Sequence, residues 1–173
     1  MKSLSLLAVL LALVVAIHPQ QAHAQPTVEV GPRVGLDLGD IEEGFIGADA
    51  RIATEALPVL INPAVDFYFV DSGVEGVDQS IFAIDINALY PFGVDNQAFT
   101  PYAGGGLGIV RSSVDVDAGA FGSTGESTTD VGLNLVGGAV FQAGTLKPFA
   151  QAKINVGGDV TLFNVMGGLL FSF

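Results

Sequence analysis

The chain has 173 residues, of which 50% are hydrophobic and only 14% charged, with 18 acidic side chains against six basic ones. A net charge of −12 repels phosphate backbones, so nucleic acid is not expected as a partner. Cysteine is absent, which excludes disulfides and a lipid-modified N-terminal cysteine.

Met1-Lys2 opens an apolar run from Leu4 to Ile17, followed by Ala22-His23-Ala24. This pattern predicts a secretory signal peptide over residues 1–24, cleaved after Ala24. A spanning helix needs roughly 20 apolar residues, and Pro19, Gln20 and Gln21 interrupt this run too early. Residues 25–173 then form a single domain. Both histidines, His18 and His23, leave with the leader, so the mature part has no imidazole, thiol or indole.

Mean hydropathy is +0.56, yet no stretch after Ile17 is long enough for a membrane helix. In hydrocarbon every backbone N–H and C=O must be paired within the protein, so a spanning chain without helices must close a sheet into a barrel. Eight segments of about ten residues alternate in polarity, the length a tilted strand needs to cross a bilayer.

The first, Thr27 to Gly39, sets Val28, Val30, Val34, Leu36 and Leu38 against Glu29, Arg33 and Asp37. The second, Phe45 to Thr54, sets Ile46, Ala48, Ala50 and Ile52 against Asp49 and Arg51. The third, Val59 to Val70, alternates Ile61, Val65, Phe67 and Phe69 with Asn62, Asp66 and Tyr68. The fourth, Ser80 to Phe92, opposes Phe82, Ile84, Ile86, Ala88 and Tyr90 to Asp85 and Asn87. The fifth, Phe99 to Arg111, is glycine-rich; the sixth, Asp130 to Phe141, sets Val131, Leu133, Leu135 and Ala139 against Asn134. The seventh, Lys147 to Val156, opposes Ala150, Ala152, Ile154 and Val156 to Gln151, Lys153 and Asn155. The eighth, Thr161 to Phe173, presents Phe163, Val165, Leu169, Phe171 and Phe173 on one face, with Asn164 and Ser172 on the other. The polar face is the enclosed one.

Loops after the first, third and fifth segments are acidic or rich in Gly, Ser and Thr, the longest running from Ser112 to Thr129, whereas the turns after the second, fourth and sixth are tight. The Gly157-Gly158-Asp159 turn is also short, as a Gly-Gly hairpin allows. Alternation of this kind predicts a membrane barrel with both termini periplasmic. Phe67, Phe69 and Phe82 fall near one rim and Tyr90, Phe92, Phe141, Phe171 and Phe173 near the other, as girdle aromatics do. A soluble sandwich would bury the same faces but carry many Lys and Glu on the others. Here that parity is thin in charge.

Tyr102-Ala103-Gly104-Gly105-Gly106-Leu107-Gly108 after Thr100-Pro101, with the terminal Gly167-Gly168-Leu169-Leu170-Phe171-Ser172-Phe173, resembles the small outer-membrane β-barrel family of OmpA/OmpX type. The resemblance implies an all-β fold, an eight-stranded antiparallel up-and-down transmembrane barrel, multi-pass in the cell outer membrane. It also implies that Phe171 and Phe173 form the signal read by the outer-membrane assembly machinery. Larger members carry a C-terminal peptidoglycan-binding domain; the sequence ends at Phe173 without one, and wall anchorage is not expected.

By parity the lumen holds Glu29, Arg33, Asp37, Asp49, Arg51, Asp66, Asp85 and Lys153. Unpaired buried charges cost several kcal/mol, so these groups are expected to bridge, with Arg33 and Asp49 at similar height on neighbouring strands. Glu29 and Asp37 sit near the mouths, where water is expected to solvate them. The cluster reads either as an ion path or as a plug of salt bridges. Eight strands enclose a space that side chains alone can fill, which favours the plug.

The Gly104 to Gly108 run lies in a strand with no helix after it, so close packing explains it better than phosphate binding. Asp115, Asp117 and Glu126 have a faint calcium-loop spacing without the turn glycine, so a solvated loop is expected and no metal or cofactor. With no histidine and no nucleophile–base pair in the mature part, catalysis is not expected. Two non-enzymatic functions stay open: a monomeric structural or surface-interaction barrel of the cell envelope, and a narrow porin-family channel for small solutes or ions. The acidity fits divalent cations bridging the loops to outer-membrane lipid, and equally fits adaptation to high salt.

Overall fold

The computed structural model describes residues 26–70, 77–95, 98–117, 123–157 and 160–172. The expected leader, Phe173 and Gly158-Asp159 of the last turn lie outside the described residues. Eight antiparallel strands follow one another around a closed barrel: β1 (Thr27–Asp37), β2 (Gly44–Ala53), β3 (Leu60–Tyr68), β4 (Val77–Pro91), β5 (Phe99–Asp117), β6 (Ser123–Phe141), β7 (Leu146–Val156) and β8 (Leu162–Ser172). Each strand pairs with its sequence neighbour, and β1 meets β8 to close the wall, with Glu29 opposite Ser172 and Asp37 opposite Asn164.

Period-two alternation decides which way each side chain points. Val34, Leu36, Ile86, Leu107, Val131, Leu133 and Leu135 are all more than half exposed on the outside, while Arg33, Asp49, Arg51, Asp66, Asp85 and Lys153 are almost wholly enclosed. This polarity is the reverse of that in a water-soluble domain, where Lys, Arg and Asp are rarely buried and large apolar faces are covered. Aromatics at the outer rims pair edge to face, Phe67 with Phe69 at 6.2 Å between ring centroids and Tyr90 with Phe92 at 5.4 Å.

One segment departs from the sequence reading. The stretch from Ser112 to Thr129, expected as a long solvated loop, is mostly sheet: Ser112 pairs with Thr128, Val114 with Glu126 and Asp117 with Ser123. Its Thr and Val residues favour strand, and a serine- and threonine-rich hairpin in water gives no apolar alternation by which to recognise it. Asp115 and Glu126 therefore lie on paired strands, not in a calcium-binding loop.

Wall prolines leave gaps in the hydrogen-bond ladder. Opposite Pro63 on β3, the Asn62 side chain donates to the Ala50 carbonyl at 2.9 Å and takes over the missing N–H. At the β1–β8 closure the ladder is interrupted at Gly31 and Pro32. Gly31 approaches β8 so closely that a Cβ there would lie 1.6 Å from the Leu169 carbonyl oxygen. Only glycine fits this contact.

Candidate functional site: the barrel lumen

Arg33 stands at the centre. Its Nε and Nη2 donate to the two carboxylate oxygens of Asp66 at 2.7 and 2.6 Å, a bidentate pair across two strands. Nη1 reaches Asp49 and Nη2 also reaches Asp85, each at 3.3 Å. Lys153 closes the other side, bonded to Asp85 and 3.8 Å from Asp66. Asp49 has a second partner in Arg51, whose Nε donates to it at 3.1 Å. Three cations thus face three carboxylates with their side chains almost completely out of solvent.

The expected Arg33–Asp49 contact is present, but Asp66 is the principal partner of Arg33. Parity placed all three groups inside, while the choice between Asp49 and Asp66 depends on the tilt of the strands and the reach of a long side chain. Asp37 does not meet solvating water as expected; it is buried, with 2% of its surface exposed. Its Oδ2 accepts the backbone N–H groups of Gly39, Ile41 and Glu42, at 3.0–3.2 Å, and its Oδ1 that of Phe163 at 2.9 Å. A short carboxylate followed by a tight turn folds the chain over itself, as Asp does in Asx turns. Glu29, half-buried near the opposite mouth, is paired with Lys147 and accepts from Ser172 at 3.3 Å.

A ladder of amides runs beside the charges. Asn87 donates to Asn62 at 3.2 Å, Asn134 to Asn87 and Asp85 at 2.9 Å each, and Asn155 to Asn134 at 2.7 Å. These residues lie on β3, β4, β6 and β7, so the chain of bonds passes over β5 without a contribution from it. The inward glycines of β5 make this possible: a Cβ at Gly106 would lie 2.6 Å from the Asn87 side-chain oxygen, and one at Gly108 would crowd Asn155, Asp85 and Asn134 within 2.9 Å. The sequence carried a signal for the ladder, since each Asn has inward parity and Gly104, Gly106 and Gly108 alternate on one face.

Apolar layers cover both ends of this polar centre, a feature the expectation of a polar lumen missed. At the end bearing the termini, Leu89, Tyr102, Val140, Phe149 and Leu170 are buried. Here the Arg51 guanidinium lies 4.6 Å from the ring centroids of both Tyr102 and Phe149 and donates to the Tyr102 hydroxyl at 3.0 Å. That hydroxyl donates in turn to Gln151 at 2.9 Å. At the other end Phe45, Tyr68, Ile81, Leu162 and Met166 close over the charges, joined by Ile41, Val70 and Val160 from the loops. On β8 the missed residues are Leu162, Met166 and Leu170, whose even positions share the parity of Asn164.

Small glycines seat the large inward rings: a Cβ at Gly35 would strike Phe45, one at Gly168 would strike Phe149 and one at Gly138 would strike Tyr102, each within 2.7 Å. Of the two residues expected as a C-terminal signal, Phe171 faces outward, 38% exposed, and Phe173 lies outside the described residues. Among the described residues no three His, Cys, Asp or Glu side chains converge as metal ligands.

No protein-family model matches the chain, and no curated protein does. Solved structures do. The chain superposes on a major outer membrane protein from Thermus thermophilus with a TM-score of 0.66 and 11% identity, over 86% of this chain and 100% of that one. Neisserial surface protein A (NspA) gives 0.65 and 15%, over 88% and 100%. Ail, the attachment invasion locus protein of Yersinia pestis, gives 0.61 and 15%, over 86% and 97%. At these identities the likeness is one of fold, that of the small eight-stranded outer-membrane barrels.

Proposed function

We propose that the chain is a non-enzymatic integral protein of the outer membrane, a barrel whose lumen is plugged by its own salt bridges and amides and whose role is structural or surface-interacting. The observation that carries this reading is the inverted polarity: lipid-facing Leu, Val, Ile and Phe surround a neutral cluster of three cations and three carboxylates. Buried charges are tolerated only when paired and hydrogen-bonded, and here the pairing spans strands from opposite sides of the lumen. Buried apolar side chains toward both ends of this cluster support the plugged reading.

In this reading residues 1–24 are a leader removed on export and both termini lie in the periplasm. Outer-membrane lipid covers the belt, and the assembly machinery reads the last strand through Phe171 and Phe173. The barrel acts as a monomer without cofactor. The deciding experiment is a planar-bilayer recording on refolded protein: the plug predicts no steady large-channel current. Sustained currents in the wild type would favour the narrow channel instead.

A further inference from the structure

On the outer wall the side chains of β4 and β5 leave a groove of about 370 Å³. Ile84 and Ile86 of β4 and Leu107 and Ile109 of β5 line it, and Ala88 and Gly105, opposite each other in the register, stand where longer side chains would fill it. Apolar walls left without neighbours lose their dispersion contacts, and in a membrane a hydrocarbon chain is what restores them.

Beyond the groove the same face turns polar in a fixed order. The row of Ile84 and Ile109 is followed by Phe82, Arg111 and Thr129, then by Ser80, Ser113 and Ser127, then by Asp78, Asp115 and Gly125. Residues two apart on a strand share a face, so all of these point outward with Ile109. Phe82 also stands opposite Phe67 of β3, and such girdle aromatics mark the level of lipid headgroups. Arg111 is therefore placed at the interface. Of the six Lys and Arg, Lys2 belongs to the expected leader, Arg33, Arg51 and Lys153 are enclosed, and Lys147 is paired with Glu29. Arg111 is the cation exposed on the outer wall.

Its guanidinium leans onto β6, Nη2 donating to the Ser127 hydroxyl at 3.0 Å. Asp115 leans the same way: a Cβ at Gly125 would lie 2.2 Å from its Oδ1, so the carboxylate lies over the bare glycine. A positive and a negative group thus project side by side over β6, and among the described residues no salt bridge joins them. Asp78 stands directly opposite Asp115, and like charges opposite each other across strands repel unless a cation joins them. From the groove outward the face reads apolar, cationic, hydroxylic and acidic. A zwitterionic phospholipid presents the complement in the same order: tail, phosphate, ammonium.

We propose that this face of β4, β5 and β6 binds a phospholipid whose headgroup ends in a primary ammonium, of the phosphatidylethanolamine type. One acyl chain lies in the groove, the phosphate accepts from the Arg111 guanidinium and the Ser127 hydroxyl, and the ammonium donates to Asp115 and Asp78. A choline headgroup has no N–H to donate, and a glycerol headgroup brings no cation to the carboxylates. The proposal deepens the membrane reading above and rests on it for the hydrocarbon around the groove.

The test uses the full-length barrel refolded in detergent micelles, its strand content checked by circular dichroism and its lipid adducts counted by native mass spectrometry. The probes are phosphatidylethanolamine, phosphatidylcholine and phosphatidylglycerol with identical acyl chains. A saturable single adduct is expected with the ethanolamine lipid, at least about threefold tighter than with either of the others, the scale of one exposed ion pair. D78N/D115N, changed only at exposed side chains, brings the ethanolamine lipid down to the choline lipid and leaves the choline lipid unchanged. R111Q weakens both, and A88L, which fills the groove from the outside, weakens all three. The absence of a saturable adduct, equal affinities for the three lipids, or tightest binding of the glycerol lipid overturns the proposal. So does a preference that survives D78N/D115N, or an affinity undiminished in R111Q or A88L. A dimer that A88L dissociates would assign the groove to a second copy and overturns it as well. Insertion of the barrel into vesicles of the choline lipid alone, scored separately, tests membrane residence and is unaffected by any of these results.

Discussion

Arg33 holds its place because Asp66 grips both ends of its guanidinium fork, while Asp49 and Asp85 are also shared with Arg51 and Lys153. Replacing Arg33 by Leu strands Asp66 more than Asp49, and the expected cost is about 3–5 kcal/mol, read as a lower unfolding midpoint in detergent. Bilayer current stays absent in this variant, since the apolar layers remain. Asp37 works differently, through backbone donors alone. Asp37→Ala orphans four N–H groups; hydrogen bonds to a charged group are worth about 1.5–3 kcal/mol each, so a loss of about 3 kcal/mol or more is expected. Faster hydrogen exchange at Gly39, Ile41 and Phe163 is the specific readout. Inward parity of both residues was legible from the alternation in β1. That Asp37 ties a loop to β8 was not, because its Phe163 partner is 126 residues away and is set by closure of the barrel.

Among the strands, the β1–β8 closure carries the tightest constraint. Gly31→Ala places a methyl group against the Leu169 carbonyl, forcing two backbones apart. The expected effect is a loss of about 1–3 kcal/mol, with faster amide exchange along β8. Gly137→Ala is the control: a Cβ there meets nothing within 4 Å, and a change within about 0.5 kcal/mol is expected in the same unfolding assay. Strand number, order and facing were readable wherever one side had to be apolar, since a slip of one residue would turn the outward Leu, Val and Ile side chains inward. Beyond the apolar band of the wall that requirement lapses. The upper halves of β5 and β6 therefore hid in a sequence rich in Ser, Thr and Asp, and their pairing emerges only from the register that the lower halves impose.

At the scale of the molecule, the outer face is matched to hydrocarbon. Leu135 lies midway along β6, 64% exposed, opposite Gly105 and Ile154. Leu135→Arg is expected to destabilise the barrel by about 2–4 kcal/mol in lipid vesicles, measured by reversible denaturant unfolding. A value near zero would place this face in water. The lumen sets a different rule. Between Tyr102 and Val110 the inward face of β5 holds only Gly104, Gly106 and Gly108, and the volume they leave is taken by side chains rooted on the neighbouring strands. Engineering a conduit through this molecule thus has nothing to trim on β5: material can be carved away only from the strands that supply the filling, and shortening Asn87, Asn134 or Asn155 would expose bare glycine backbone as the new pore lining.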